Sequence, residues 1–372
     1  MLKLAIGLVV AVVAVAVGVR AATGSSAPAP RLAALHGSVT FGVLAPLSQP
    51  RGRDLAAGAQ LAAAELNASG GVRGRRVLVK SVDDRCATDA AATGARRLLR
   101  AHAAGIVGGV CAGAVRPALD VLDAGRTPLL IAAADADDLV GDPYGFLLTG
   151  TFSQAALAAE HWIVDREPRR VAVVSGADAG SRALARQVGA HVRGDIATSR
   201  VSARGGEPPA RLAASVLRSQ PDFVYWSGAA AGGGRLAAAL RAAGYRGTFL
   251  AASAGPDLLS QQGAFAVTAA TPQLLPQARR WSARYRARFE RPPTRAAMQG
   301  YDGLRALAAA ARGARGASGA AVAARLATQT SFSTFLGPLV FSPDHSLTYD
   351  DRIIARVRDG ALTLQSTLRS RS

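Results

Sequence analysis

The chain alternates short apolar runs with longer stretches in which apolar residues recur every three or four positions. Runs at residues 39–45, 76–80, 105–111, 128–131, 146–148, 170–174, 222–226 and 247–251 predict buried strands. Between them, residues 53–67, 153–165, 181–192 and 235–243 carry a helical period, and two further helices separate the strands between residues 86 and 128. Ser153 is the expected cap of its helix, and Pro208-Pro209 opens another, because proline suits a first turn. Residues 276–329 hold three helical stretches. Short strands near 338–341, 352–357 and 362–364 close the chain. Such strand–helix alternation implies parallel sheets with helices on both faces. Two successive units of about five strands imply two lobes.

Both cysteines fall where two predicted strands end. One run finishes in Val82-Asp83-Asp84-Arg85-Cys86, and the next reads Gly105-Ile106-Val107-Gly108-Gly109-Val110-Cys111. Parallel strands put such ends on one edge of a sheet, the edge at which open α/β folds bind ligands. A bridge between the two is geometrically open, and spacing does not decide it. Just upstream, Glu65-Leu66-Asn67 leads into the turn Gly70-Gly71-Val72-Arg73-Gly74.

This segment resembles the type I periplasmic binding proteins, in particular their leucine/isoleucine/valine-binding branch. The Glu-Leu-Asn helix end, the Gly-Gly-x-x-Gly turn, Asp83-Asp84-x-Cys86 and Gly-x-x-Cys111 carry the resemblance. It continues more weakly from about residue 39 to 364. It implies an α/β fold of two doubly wound parallel-sheet lobes joined by a hinge, and a disulfide between Cys86 and Cys111. The implied lobes are 38–151 plus 277–340 and 152–276 plus 341–372, after a signal or anchor at 1–22 and a tether at 23–37. The implied function is an extracytoplasmic solute-binding protein that closes on a small-molecule ligand and delivers it to an ABC permease.

The family's ligand contacts map onto specific positions here. The loop after the first strand corresponds to residues 47–52 and includes Ser48. The serine-bearing loop corresponds to Ala112-Gly113, and the Ser-Pro-x-Ala-Thr loop to Ala132-Ala133-Ala134-Asp135. A tyrosine corresponds to Ala179, between Asp178 and Gly180; an aromatic pair to Ala229-Ala230; the ammonium-binding glutamate to Ser253. Hydroxyls, aromatics and the carboxylate are replaced by Ala, Gly and Ser. A buried ammonium needs a counter-charge. Ser253 cannot supply it, which leaves Asp135 or Asp178, with backbone donors at Ala112, Gly113 and Ala134 for a carboxylate. The scaffold argues for the family and the site against a standard branched-chain amino acid.

Composition adjusts this picture in two places. The net charge of +19 invites a nucleic-acid reading. Arginine, alanine and glycine are spread along the whole chain, however. In the densest basic stretch, Trp281, Tyr285 and Phe289 recur every fourth residue, as an apolar helix stripe would. A docked amphipathic helix fits better, and no nucleic-acid partner is expected. At the N-terminus, Lys3 precedes an apolar run over residues 4–19 and then Arg20-Ala21-Ala22, a targeting pattern. The run is short of the roughly 20 residues a span needs, although Arg20 can snorkel. Export with cleavage and N-terminal membrane association both remain open, and no cysteine follows to take a lipid. Export places the rest of the chain in the periplasm or at the cell surface, and two cysteines in an exported chain favour a disulfide.

Catalytic chemistry is thin. The five histidines stand apart from one another and from the cysteines, without metal-ligand spacing, and no phosphate-binding loop motif occurs. Ala251-Ala252-Ser253-Ala254-Gly255 resembles a nucleophile elbow but lacks its first glycine, and only His345 follows. Asp135, Asp137 and Asp138 suit helix capping. No enzyme activity, metal or cofactor is expected. A rival on the same fold is a membrane-anchored sensor or interaction module.

Overall fold

The computed structural model describes residues 35–132, 137–192, 196–328, 332–348 and 352–367. The expected targeting segment and almost all of the tether, together with Ala134 and Asp135, lie outside them.

The first run comprises β1 (Ser38–Ala45), α1 (Pro50–Ala68), β2 (Arg76–Asp83), α2 (Thr88–Arg100), β3 (Ala103–Gly108), α3 (Ala112–Ala124), β4 (Leu129–Ile131) and β5 (Gly145–Leu147). The second comprises α4 (Phe152–Val164), β6 (Arg170–Ser175), α5 (Ala179–His191), β7 (Ala197–Ser202), α6 (Pro209–Leu217), β8 (Phe223–Trp226), α7 (Ala230–Ala242), β9 (Thr248–Ala251) and β10 (Phe265–Ala269). Then come α8 (Arg279–Phe289), α9 (Arg295–Gly313), α10 (Gly319–Thr328), the small hairpin β11 (Phe332–Thr334) and β12 (Gly337–Leu339), and finally β13 (Arg352–Arg358) and β14 (Ala361–Thr367).

The first five strands form a wholly parallel sheet in the order β2-β1-β3-β4-β5. A second sheet runs β14-β13-β10-β9-β8-β6-β7, parallel from β10 to β7. The late helices return to the first sheet: α9 packs on α1 and β3, and α10 on β3. The chain therefore passes between the two lobes after β5, after β10 and after β12. The first and third connections are tied together. Gln154 Nε2 donates to the Leu347 carbonyl, and Arg352 Nη1 donates to the Thr151 carbonyl at 3.2 Å.

The Glu65-Leu66-Asn67 end of α1 works as a junction. Asn67 accepts from the Val77 amide at 2.7 Å and donates to the Val77 carbonyl at 2.9 Å, which fastens α1 to β2. Glu65 accepts from Tyr301 Oη at 2.6 Å and Arg284 Nε at 2.8 Å, which fastens α1 to α9 and α8. On α8, Trp281 and Tyr285 are buried with Phe289 beside them, and the ring centroids of neighbours lie 5.5 and 4.7 Å apart. The arginines between them stay on the outer faces, the amphipathic arrangement expected from the four-residue spacing.

Several sequence expectations change. The cap of α4 is Thr151, not Ser153: its hydroxyl accepts from the Gln154 amide, and the Gln154 side chain accepts from the Thr151 amide. This reciprocal pair needs a hydroxyl three residues before a glutamine. α1 begins at Pro50, so Gly52 is helical and the preceding loop is shorter than expected. Three strands, β7, β10 and β11, escaped the pattern. β7 is a polar sheet edge of alternating exposure and so lacks an apolar run. The second sheet also ends in antiparallel β13 and β14. Asp359-Gly360 makes their turn, both left-handed at φ 50° and 74°, which suits a two-residue hairpin of matching twist.

Candidate ligand-binding site

Each sheet has one place where consecutive connections depart in opposite directions. In the first, β1 lies between β2 and β3, so the chain leaves to either side of it. In the second, β6 lies between β7 and β8. Loops splay apart at such switch points and leave a crevice beyond the strand ends.

At the first switch point the loop after β1 meets the turn into α3. Asp83 Oδ1 accepts from the Leu47 amide at 3.0 Å and the Arg85 amide at 2.9 Å, holding the two strand ends together. Asp84 Oδ1 accepts from the Cys86 amide at 2.9 Å, and burial pushes its carboxyl above the usual range against that bond. Arg85 and Cys86 are both left-handed, at φ 52° and 54°, which swings the cysteine towards α3. Cys86 is disulfide-bonded to Cys111, the residue before α3, with Cα atoms 5.4 Å apart. Ser48 is exposed on the β1 loop, where its carbonyl accepts from Arg53 Nη1 at 2.7 Å. Ala112 and Gly113 form the exposed first turn of α3, which no side chain caps.

The second switch point opens into a cavity of about 460 Å³. Asp178 and Ala229 both line it. Asp178 caps α5: Oδ1 accepts from the Ser181 amide at 2.7 Å and Oδ2 from the Ser181 hydroxyl. The hydroxyl and then the amide hold its carboxyl below the usual range. Ala179 is exposed at the start of α5, outside the cavity lining. Ala229 precedes α7, which also lacks a side-chain cap. Ser253 follows β9, the next strand over, partly exposed, and does not line this cavity. Of the expected contacts, the structure brings Asp178 and Ala229 together. Ser48, Ala112 and Gly113 belong to the other lobe's switch point.

The cavity also contains Trp226, Arg204, Glu207 and Arg235, none of which the sequence pattern singled out. Arg204 and Glu207 were hidden because they follow the polar strand β7. Trp226 carried a usable signal in the glycines after it. A Cβ on Gly228 would meet the indole at 2.1 Å, and one on Gly232 at 2.8 Å. The Gly/Ala stretch is thus a cradle for a tryptophan. The indole Nε1 donates to the Ala229 carbonyl at 3.1 Å, fixing the ring under the start of α7.

A hydrolytic arrangement at Ser253 is not assembled. His345 stacks on Phe146 at 4.0 Å between centroids, and its Nδ1 lies 2.8 Å from the Asp142 carbonyl, beside β5 of the first sheet. Among the described residues no cluster of His, Cys, Asp and Glu is placed to hold a metal ion.

A family model described as periplasmic binding protein matches residues 38–361. The chain belongs to that family. The binding protein is 28% identical to a Leu/Ile/Val-binding protein of Citrobacter freundii over 206 residues, 54% of this chain and 55% of the relative. A Leu/Ile/Val-binding protein of Escherichia coli (strain K12) matches at 26% identity over the same shares. The chain thus spans about half the length of the curated relatives it matches. These relatives are named for the solutes they bind. Among solved structures, an ABC transporter substrate-binding protein of Desulfitobacterium hafniense in complex with Leu superposes with a TM-score of 0.71 at 21% identity, covering 88% of this chain and all of that one. A branched-chain amino acid transporter substrate-binding protein of Streptococcus pneumoniae in complex with isoleucine gives 0.62 at 20%, covering 89% and 100%. At these identities the likeness shows the fold, that of the type I periplasmic binding proteins. Among the described residues no helix is long and apolar enough to cross a membrane.

Proposed function

We propose that this binding protein is the exported solute receptor of an ABC importer, closing two lobes on a small molecule held between their switch-point loops. The lobes are taken as residues 38–151 plus 277–340 and 152–276 plus 341–372, and residues 1–22 as the export signal. The observation that carries the reading is the pair of switch points, one in each sheet, each bounded by uncapped helix starts at α3 and α7. Uncapped first turns present backbone N–H groups to a ligand. Three tied or neighbouring chain passages between the lobes suit a hinge, and ligand favouring the closed arrangement would drive the motion.

The ligand is proposed to differ from leucine, isoleucine and valine. The support is chemical. Ser253 offers no charge to an ammonium group, Ala179 and Ala229-Ala230 offer no aromatic wall, and Asp178 already accepts from Ser181 through both oxygens. A buried charge left without a partner costs several kcal/mol, equivalent to a thousandfold or more in affinity. Calorimetric titration with the three amino acids is expected to show millimolar binding or none. Micromolar binding of any one would overturn the ligand assignment while leaving the solute-receptor reading in place.

A further inference from the structure

The second-lobe cavity has an ionic character that narrows the class of solute, granted the solute-receptor reading above. Two cations line it, Arg204 after β7 and Arg235 on the second turn of α7. Arg235 Nε donates to the Ala231 carbonyl at 3.0 Å, which draws the guanidinium back towards the open start of α7. Among the described residues no carboxylate lies within ion-pair distance of either guanidinium. The two acids in the lining already accept hydrogen bonds within it. Asp178 accepts from Ser181 with both oxygens, and Glu207 Oε2 accepts from the Arg204 amide at 3.0 Å. The first turn of α7 adds N–H groups that its N-cap residue does not cap, while Asp257 Oδ2 accepts from the Gly234 and Arg235 amides further along at 3.1 and 3.3 Å. Trp226 lies below, its position fixed by its own hydrogen bond and by the glycines around it. At about 460 Å³ the space matches a small organic molecule.

We propose that the solute is a small organic acid without an ammonium group, its carboxylate held by Arg235 and Arg204 at the start of α7 and its apolar body against Trp226. Planar guanidinium donors match a carboxylate in pairs, and two cations in one lining disfavour an ammonium. A neutral solute would leave both guanidiniums desolvated without a partner on closure, which is costly.

The test uses the mature protein and probes that differ only in charge. 4-Methylpentanoate is leucine without its ammonium, and 3-methylbutylamine is leucine without its carboxylate. 3-Phenylpropanoate, phenylalanine and 2-phenylethylamine form a second such set. Calorimetry and thermal shift are expected to detect the acids and to find the amino acids and amines at least tenfold weaker. Arg235→Gln and Arg204→Gln should each weaken acid binding at least tenfold. Arg235→Lys should retain part of it, and Arg286→Gln on the outer face of α8 should change nothing. Both glutamine variants alter exposed side chains, so an unchanged melting temperature without ligand will show that the fold is kept. Equal or tighter binding of an amine or amino acid overturns the proposal and leaves a solute receptor of another ligand class. Acid binding unaffected by both glutamine variants also overturns it. No binding by any of these probes overturns the proposal, and a thermal-shift screen of a wider set of solutes, sugars included, that also finds none overturns the solute-receptor reading with it.

Discussion

A few side chains set the local geometry through contacts that tolerate no added atom. Gly228 is the sharpest case. Its position over the Trp226 indole leaves 2.1 Å for a Cβ, whereas a carbon contact needs about 3.5 Å or more. Gly228→Ala must push the ring out from under α7 and break its bond to the Ala229 carbonyl. The expected result is a loss of about 1–3 kcal/mol, as for an overpacked core. Denaturant unfolding followed by Trp fluorescence will measure it, with a shift in the native emission maximum. A variant with parental stability and emission would show that the indole is not confined as described. Asn67 and Glu65 act differently, by satisfying polar groups at a junction of helices and strand. Their effect is one of register rather than of space.

Helix contacts depend on the same economy of atoms. α1 and α9 cross so closely that each contributes a glycine to the other's backbone. A Cβ on Gly58 would lie 1.8 Å from the Ala297 carbonyl oxygen, and one on Gly300 would lie 2.0 Å from that of Leu55. Neither obstacle is a side chain that can rotate away. Around this crossing, buried Asp54 takes a bond from Thr294 Oγ1 at 2.9 Å and pairs with Arg291, so the start of α9 is locked to α1. Gly58→Ala is expected to separate the helices and to cost more than the few tenths of a kcal/mol an exposed helical substitution changes, at about 2 kcal/mol or above. Since alanine is the better helix former, a neutral or stabilising result in thermal unfolding would refute the close packing. The disulfide acts at the same scale, joining the β2 end to the α3 start across a separation of 25 residues. In the chain-entropy picture it restricts the unfolded chain by roughly 3 kcal/mol.

For the whole molecule the joints between lobes matter most. A small cavity of about 40 Å³ lies among Leu148, Leu339 and Leu347, close to where the chain passes between the sheets, and Asp302 of α9 borders it. Burial pushes the Asp302 carboxyl up to about 7, against the Phe335 amide that donates to it at 3.3 Å and the nearby Arg305 charge. The unfolded value is the ordinary 3.8, so the folded protein holds this proton more tightly. Its contribution is fully present below about pH 4 and is lost as pH rises through 7. Asp302→Asn keeps an oxygen for the Phe335 amide and removes the titration. Melting temperatures of parent and variant between pH 4.5 and 8 should diverge in the variant's favour as pH rises. Parallel curves would mean that Asp302 is not protonated in the fold.

The sequence by itself determined which segments form strands and helices wherever a core face imposed a period, and it marked the β2, α3 and α8 neighbourhoods by their own residues. Asp83-Asp84-x-Cys86 announces a strand end because carboxylates and a left-handed cysteine are needed to turn there. Trp281, Tyr285 and Phe289 announce a buried helix face. The tertiary structure alone decided the rest. β7 earns its place in the sheet through backbone pairing with β6, which leaves no apolar trace at an edge. Arg204 and Arg235 are 31 positions apart and come to line one cavity only because β7 and β8 flank β6. Asp178 reads as a free counter-charge until Ser181 is seen to occupy both its oxygens. Local propensity acts between residues a few positions apart, whereas a binding cavity is defined by which strand ends meet, and that depends on the order of strands in the sheet.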